Sequence, residues 1–107
     1  LNMQKAETSA IIRERVEQAR ERQRERFADR PGIFSNADMR PSDIQDFCEL
    51  STEAKQLLDV ATRRMQLSAR AYHRVLKLSR TIADLSGATV IETQHVAEAV
   101  QYRPKAQ

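Results

Sequence analysis

Turn-forming residues are too few here for anything but helices. Two glycines, Gly32 and Gly87, and three prolines, Pro31, Pro41 and Pro104, serve all 107 residues. A β-sandwich or barrel needs many tight turns, and those turns draw on glycine and proline. The rest of the chain is rich in Ala, Leu, Arg, Glu and Gln, which lose little on entering a helix. The expected fold class is therefore all-α, a bundle of about five helices joined by short links. The length suits one domain with a modest core.

The punctuation and the apolar spacing place the helices. The first is expected from about Thr8 to Ala28, with Thr8 or Ser9 as its cap. Its stripe, Ile12, Val16, Ala19, Gln23 and Phe27, is narrow, and interleaved Glu and Arg cover its other faces. Such a stripe suits packing against structure beyond this chain. Asp29-Arg30-Pro31-Gly32 ends this helix, and residues 33–39 form an ordered loop. A short helix follows over Pro41–Cys48, with Ile44, Phe47 and Cys48 on one face. Ser51 starts a third helix whose stripe is Ala54, Leu57, Leu58, Ala61 and Met65. Ser68 caps a fourth reaching about Ser86, with Ala71, Tyr72, Val75, Leu76, Ser79, Ile82, Ala83 and Leu85 as its apolar positions and Gly87 as its terminal cap. The fifth begins near Glu92 or Thr93, with Ile91 and Val96 at the spacing of a hydrophobic staple, and Pro104 stops it.

Charge is unevenly spread. Residues 1–50 hold nine basic and ten acidic side chains, whereas residues 51–107 hold nine and five. Between Val60 and Ala83 there is no acid but six bases: Arg63, Arg64, Arg70, Arg74, Lys77 and Arg80. A one-sign segment suits an anionic ligand such as phosphate or nucleic acid, and equally a solvated helix face. The Arg-rich run of the first helix reads as a solvated face, because its interleaved acids cancel the field.

Catalytic and metal signals are missing. There is no phosphate-cradling glycine loop and no nucleophile elbow. His73 and His95 have no Cys or His at metal-ligand spacing, so no metal site is expected. Cys48 has no Cys–His–acid signature and reads as a small buried hydrophobe. It has no partner for an internal disulfide, no stretch approaches 18 apolar residues, and no basic-then-apolar leader opens the chain. A cytoplasmic protein without a membrane segment is expected.

The one constellation that stands out is the start of the fourth helix. With Ser68 as cap, Arg70 falls in the first turn, and Arg74 and Lys77 follow at i+4 and i+7 on the same face. Free N–H groups and the helix dipole favour anions there, and an arginine adds a bidentate fork. A surface arginine with no ligand remains the alternative on pattern alone.

Residues 67–85, LSARAYHRVLKLSRTIADL, resemble the signature of the C-terminal domain of the magnesium-chelatase-like, competence-associated AAA+ ATPases. ETSAIIRERVEQARERQRERF and GIFSNADM upstream, and VIETQHVAEAVQYR downstream, are similar to further segments of that family in the same order. The S-x-R-x-x-x-R-V-L pattern is also similar to the lid of the Holliday-junction branch-migration motor. The resemblance implies residues 1–30 as a long charged helix leading from an ATPase core that lies outside this chain, and residues 31–107 as the helical AAA+ lid. It implies nucleotide contact by Arg70, as the second sensor of the terminal phosphate, and by Arg74. ATP and Mg²⁺ would be cofactors of the full-length motor and not of this chain alone, which would be inactive by itself. Its partners would be its own ATPase core, neighbouring subunits of a homo-oligomeric ring, and DNA undergoing branch migration in natural transformation. Two other functions stay open: the ATPase subunit of magnesium chelatase, and a stand-alone helical DNA-binding module using the Arg63–Arg80 segment.

Overall fold

The computed structural model describes the backbone of residues 2–102 and the side chains of residues 8–102. Its helices are α1 (Asn2–Arg26), α2 (Pro41–Phe47), α3 (Thr52–Met65), α4 (Ala69–Leu85) and α5 (Thr93–Gln101), with a 3-10 turn at Asn36–Asp38. Among the described residues the only β pairing is an isolated parallel bridge between Leu50 and Ile91. The fold is all-α, as the turn residues require. α4 is its hub and packs on α1, α2, α5 and the 3-10 turn, while α3 packs on α5.

Local chemistry sets the boundaries. Ser51 Oγ accepts the Ala54 N–H at 3.1 Å, and Ser68 Oγ accepts the Ala71 N–H at 3.1 Å. Each hydroxyl satisfies one donor that a helix start leaves open. α4 ends with Gly87 at φ 79°, where the Ala88 N–H reaches the Ala83 carbonyl at 2.8 Å and the Gly87 N–H reaches Asp84 at 3.1 Å. That paired closure needs a left-handed residue, which glycine supplies without strain. α5 is capped differently. The Glu92 N–H donates to His95 Nδ1 at 2.9 Å, and Nε2 lies 2.9 Å from Ser86 Oγ.

The first helix differs from expectation at both ends. It runs through Thr8 and Ser9 and stops at Arg26, two residues before Ala28. A capping residue permits a helix start but does not enforce one. The residues before Thr8 include Met, Gln, Lys, Ala and Glu, all good helix formers, and nothing there breaks the helix.

The core gathers Phe27, Ile33, Met39, Ile44, Cys48, Ala54, Leu58, Val75, Leu76, Ala83, Ile91, Val96 and Ala99. The α1 stripe is buried only in its second half: Ile12 is 53% exposed, whereas Ala19 is 3% and Phe27 4%. Met65 and Leu85, assigned inward by spacing, are each 37% exposed. Both sit at the last turn of their helices, and Leu85 lines an open recess between α1 and α5.

What joins α1 to α4 is polar. Asp84, fully buried, takes both terminal nitrogens of Arg26 at 2.7 Å each, the Asn36 amide at 2.9 Å, and Arg80 at 3.2 Å. Arg22 donates to the Asp84 carbonyl at 2.8 Å. Arg80 is 2% exposed and donates onward to the Ala88 and Thr89 carbonyls at 2.8 and 2.9 Å, just beyond the end of α4. Asp43, also fully buried, forms a second centre. Hydrogen bonds from the Arg40 side chain, then from the Arg40 N–H, then from Arg30 hold its carboxyl well below the usual carboxylate range.

Removing one partner of a buried ion pair strands the other charge away from water. Asp84→Asn is expected to cost about 3–5 kcal/mol, because Arg26 and Arg80 lose their common counter-ion. The melting temperature should fall by more than about 10 °C. Glu17→Gln, which removes an exposed pair with Arg20, should change stability by less than about 0.5 kcal/mol. A thermal melt of the two variants checks this; equal, small shifts would show that the Asp84 cluster does not hold the domain together.

Candidate functional site

The first half of α4 builds a groove of about 660 Å³ lined by Ala37, Arg70, His73, Arg74, Lys77, Leu78 and Thr81. It exists because two elements meet there at an angle. The 3-10 turn lies across α4, tied by the Asn36 amide to Thr81 Oγ1 at 3.1 Å and by Lys77 Nζ to the Ala37 carbonyl at 3.1 Å. The opposite face of the same helix turns Val75, Leu76 and Ser79 into the core, and the Ser79 hydroxyl is satisfied by the Val75 carbonyl at 2.8 Å.

The predicted triad of Arg70, Arg74 and Lys77 is brought together as the i, i+4, i+7 spacing requires. Arg70 is exposed, Arg74 is half-buried, and neither forms a hydrogen bond or ion pair with another described residue. Arg13, Arg15, Arg63 and Arg64 are also unpartnered but lie outside this groove, whereas the remaining described arginines are engaged within the domain. Arg20 and Arg24 pair with Glu17 and Glu21, Arg26 and Arg80 with Asp84, and Arg30 and Arg40 with Asp43. A cation without a partner keeps its donors available for an incoming anion.

The Arg63–Arg80 segment does not form one basic surface. Arg80 lies inside the domain, where burial lowers its pKa from the ordinary arginine value and Asp84 opposes that shift. On α4 it is rotated by roughly 60° from Lys77 and roughly 100° from Thr81, away from the groove face, and the α4–α5 connection closes over it. Arg63 and Arg64 are exposed near the end of α3 and do not line the groove. The DNA-module reading thus loses one of its six bases.

Sequence reasoning missed Arg22, Arg26 and Asp84. The interleaved acids predict a solvated face for the α1 arginines, yet Arg22 and Arg26 turn toward α4. A signal was present: Asp84 is the sole acid between Asp59 and Glu92, on a face that the apolar spacing buries. A lone acid so placed demands a cationic partner.

Cys48 is buried in the core, and burial pushes its thiol up to about 11 despite the nearby Arg80 and Arg26 charges. It is a packing residue, since the thiolate is the nucleophilic form. Among the described residues no three His, Cys, Asp or Glu side chains cluster as metal ligands, and no helix is long and apolar enough to cross a membrane.

The geometry defines a class: a small all-α domain whose central helix bears a basic groove with no acidic lining at its N-terminal half and a buried ionic clamp at its C-terminal end. The family described as magnesium chelatase, subunit ChlI C-terminal, matches residues 6–103. The chain belongs to this family, within its magnesium-chelatase-like, competence-associated members. It is similar to competence protein ComM of Haemophilus influenzae, with 43% identity over 99 residues, covering 92% of this chain and 18% of ComM. It is also similar to proteins named YifB. The Escherichia coli protein is 40% identical over 97 residues, covering 91% of this chain and 18% of its own length. The Salmonella typhimurium protein is 39% identical over 99 residues, covering 92% and 19%. The chain thus spans just under a fifth of the length of these curated relatives.

Burial sets the reactivity of Cys48. At pH 8 the native thiol should react with iodoacetamide at least about ten-fold more slowly than the same thiol in denaturant, because its thiolate is scarce and shielded. Mass spectrometry over a time course measures this; equal rates in the two states would mean that Cys48 is accessible.

Proposed function

We propose that this chain is the C-terminal lid of an AAA+ ATPase and that it senses nucleotide state through Arg70. The observation that carries the reading is the division of the arginines. Arg70 and Arg74 are kept free and aimed into one groove, while Arg26, Arg30, Arg40 and Arg80 hold the fold. Arg70 stands at the second position after the Ser68 cap, where the helix dipole adds to the attraction for an anion.

The full-length protein would bind ATP and Mg²⁺ between an ATPase core and this domain. The groove suits that division of labour. It offers cations for phosphate oxygens and no carboxylate for a metal, so the metal would be held by residues outside this chain. Arg70 would present its planar fork to the terminal phosphate, and Arg74 would stand one turn behind. A charge-assisted contact of about 1.5–3 kcal/mol is enough to bias a two-state domain angle ten-fold or more. Loss of the phosphate on hydrolysis releases the contact, so domain angle follows nucleotide state.

The similarity to a competence protein supports a role in competence; the task we propose for it is branch migration of DNA during natural transformation, by a cytoplasmic homo-oligomeric ring. The family's chelatase name keeps a second reading in place: an ATPase subunit that powers metal insertion into a porphyrin. The same Arg70 contact would serve either machine.

The test is Arg70→Ala in the full-length protein. Arg70 is exposed and packs little, so its removal should cost at most about 0.5 kcal/mol of stability. ATP hydrolysis should fall by about ten-fold or more, because the terminal phosphate loses a positioned charge. Arg70→Lys should recover only part of the rate, since an ammonium lacks the fork. Arg63→Ala, outside the groove, should hydrolyse ATP as the parent does. Parental hydrolysis in Arg70→Ala would overturn the sensor role, and unfolding would make Arg70 a structural residue.

A further inference from the structure

We infer that Asn36 is the positioning residue of the α4 groove: through it, the docking of α1 sets where the 3-10 turn stands as the groove's wall. The placement stands on hydrogen bonds within the domain. Its consequence for ATP rests on the phosphate-sensing reading of Arg70.

The turn is a closed unit held at both ends. The Asp38 carboxylate accepts the Phe34 and Ser35 N–H groups at 3.0 and 3.2 Å. Ile33 and Met39, on either side, are buried in the core. Two anchor points define an axis, about which the turn could still swing. Asn36, 1% exposed, removes that freedom from two helices at once. On the α1 side, Gln23 Oε1 accepts its backbone N–H at 2.9 Å, and Arg26 donates to its Oδ1 at 2.9 Å. On the α4 side, its Nδ2 donates to Asp84 Oδ2 at 2.9 Å and to Thr81 Oγ1 at 3.1 Å. A side-chain amide carries an acceptor and two donors on one planar group, which this position uses in full. A carboxylate here would face Asp84 with a like charge, and an alkyl group would make none of the side-chain contacts.

The next residue carries the result into the groove. Ala37 lines it, and the Ala37 carbonyl accepts the Lys77 ammonium at 3.1 Å. Thr81 lines it about one helical turn further along. Gln23 and Arg26 do not line the groove, yet they reach its wall through one buried residue. Asn36 is also not what holds the ionic cluster together. Without it Asp84 keeps both Arg26 contacts and Arg80, so no buried charge is stranded. Its loss therefore releases the wall and spares the fold.

The experiment follows the isotope-labelled chain by NMR, reading the order of the Lys77 ammonium and the amide shifts of Ala37 and Thr81. Asn36→Ala should move both amides and free the ammonium, while the helical circular-dichroism signal stays. Gln23→Ala should do the same to a lesser degree. Gln23→Glu keeps an oxygen for the Asn36 N–H and should resemble the parent. Ile91→Val, a buried change outside the turn and the groove, controls for general loss of stability. An unmoved Lys77 ammonium in Asn36→Ala would mean that Ile33 and Met39 hold the wall by themselves, which overturns the inference. Equal loosening by Ile91→Val would overturn it as well. Should Asn36→Ala not fold, the Gln23 pair decides: identical spectra for Gln23→Ala and Gln23→Glu would remove the link to α1. In the full-length protein Asn36→Ala should raise the KM for ATP about three- to ten-fold, the scale of one hydrogen bond, with kcat nearly unchanged because Arg70 is untouched. If the wall loosens and KM holds, the positioning stands and its consequence for ATP is overturned. Arg70→Ala then tells whether the sensor reading falls with it: parental hydrolysis in that variant means that it does.

Discussion

The carboxylate of Asp84 is the point through which the domain is joined. It is removed from water and neutralised by two arginines from different directions, Arg26 from α1 and Arg80 from its own helix. A buried charge of this kind is costly unless every partner is present, so the geometry of all of them is fixed together. Asn36 extends the network into the 3-10 turn by bonding both Arg26 and Asp84. The turn that walls the groove is therefore anchored to the same centre that anchors α1.

One consequence is a separation of roles along α4. Its C-terminal end is locked in a buried ionic cluster, and its N-terminal half carries cations that nothing in the domain neutralises. The two ends are parts of one continuous 17-residue helix without glycine or proline, which transmits displacement as a rod. Arg22 and Arg26 grip its far end, so α1 and α4 are tied to each other there. The arrangement suits a domain whose orientation reports what its groove holds.

Much of this was legible in the residues. Ser51, Ser68 and Gly87 announced helix boundaries because capping chemistry is local, and the turn-poor composition left only helices. The Arg70–Arg74–Lys77 row followed from helical periodicity, and the structure gathers it into one groove. What was not legible depended on contacts between distant segments. Whether an α1 arginine faces water or Asp84 is decided by how α1 lies on α4, and the two are 58 residues apart. Arg80 was misplaced for the same reason: its position on the helix was known, but not the loop that closes over it. For His95 the spacing speaks only against a metal role, whereas its ring caps α5 and meets Ser86 across the α4–α5 connection.

The most direct measurement is a structure of the full-length protein with a non-hydrolysable ATP analogue. The expected result places the Arg70 guanidinium within hydrogen-bonding distance of the terminal phosphate, with the Arg26–Asp84 pair intact behind it. Arg70 left in solvent, or paired with an acid of another subunit while the terminal phosphate is held elsewhere, would contradict the assignment of this domain as the nucleotide sensor.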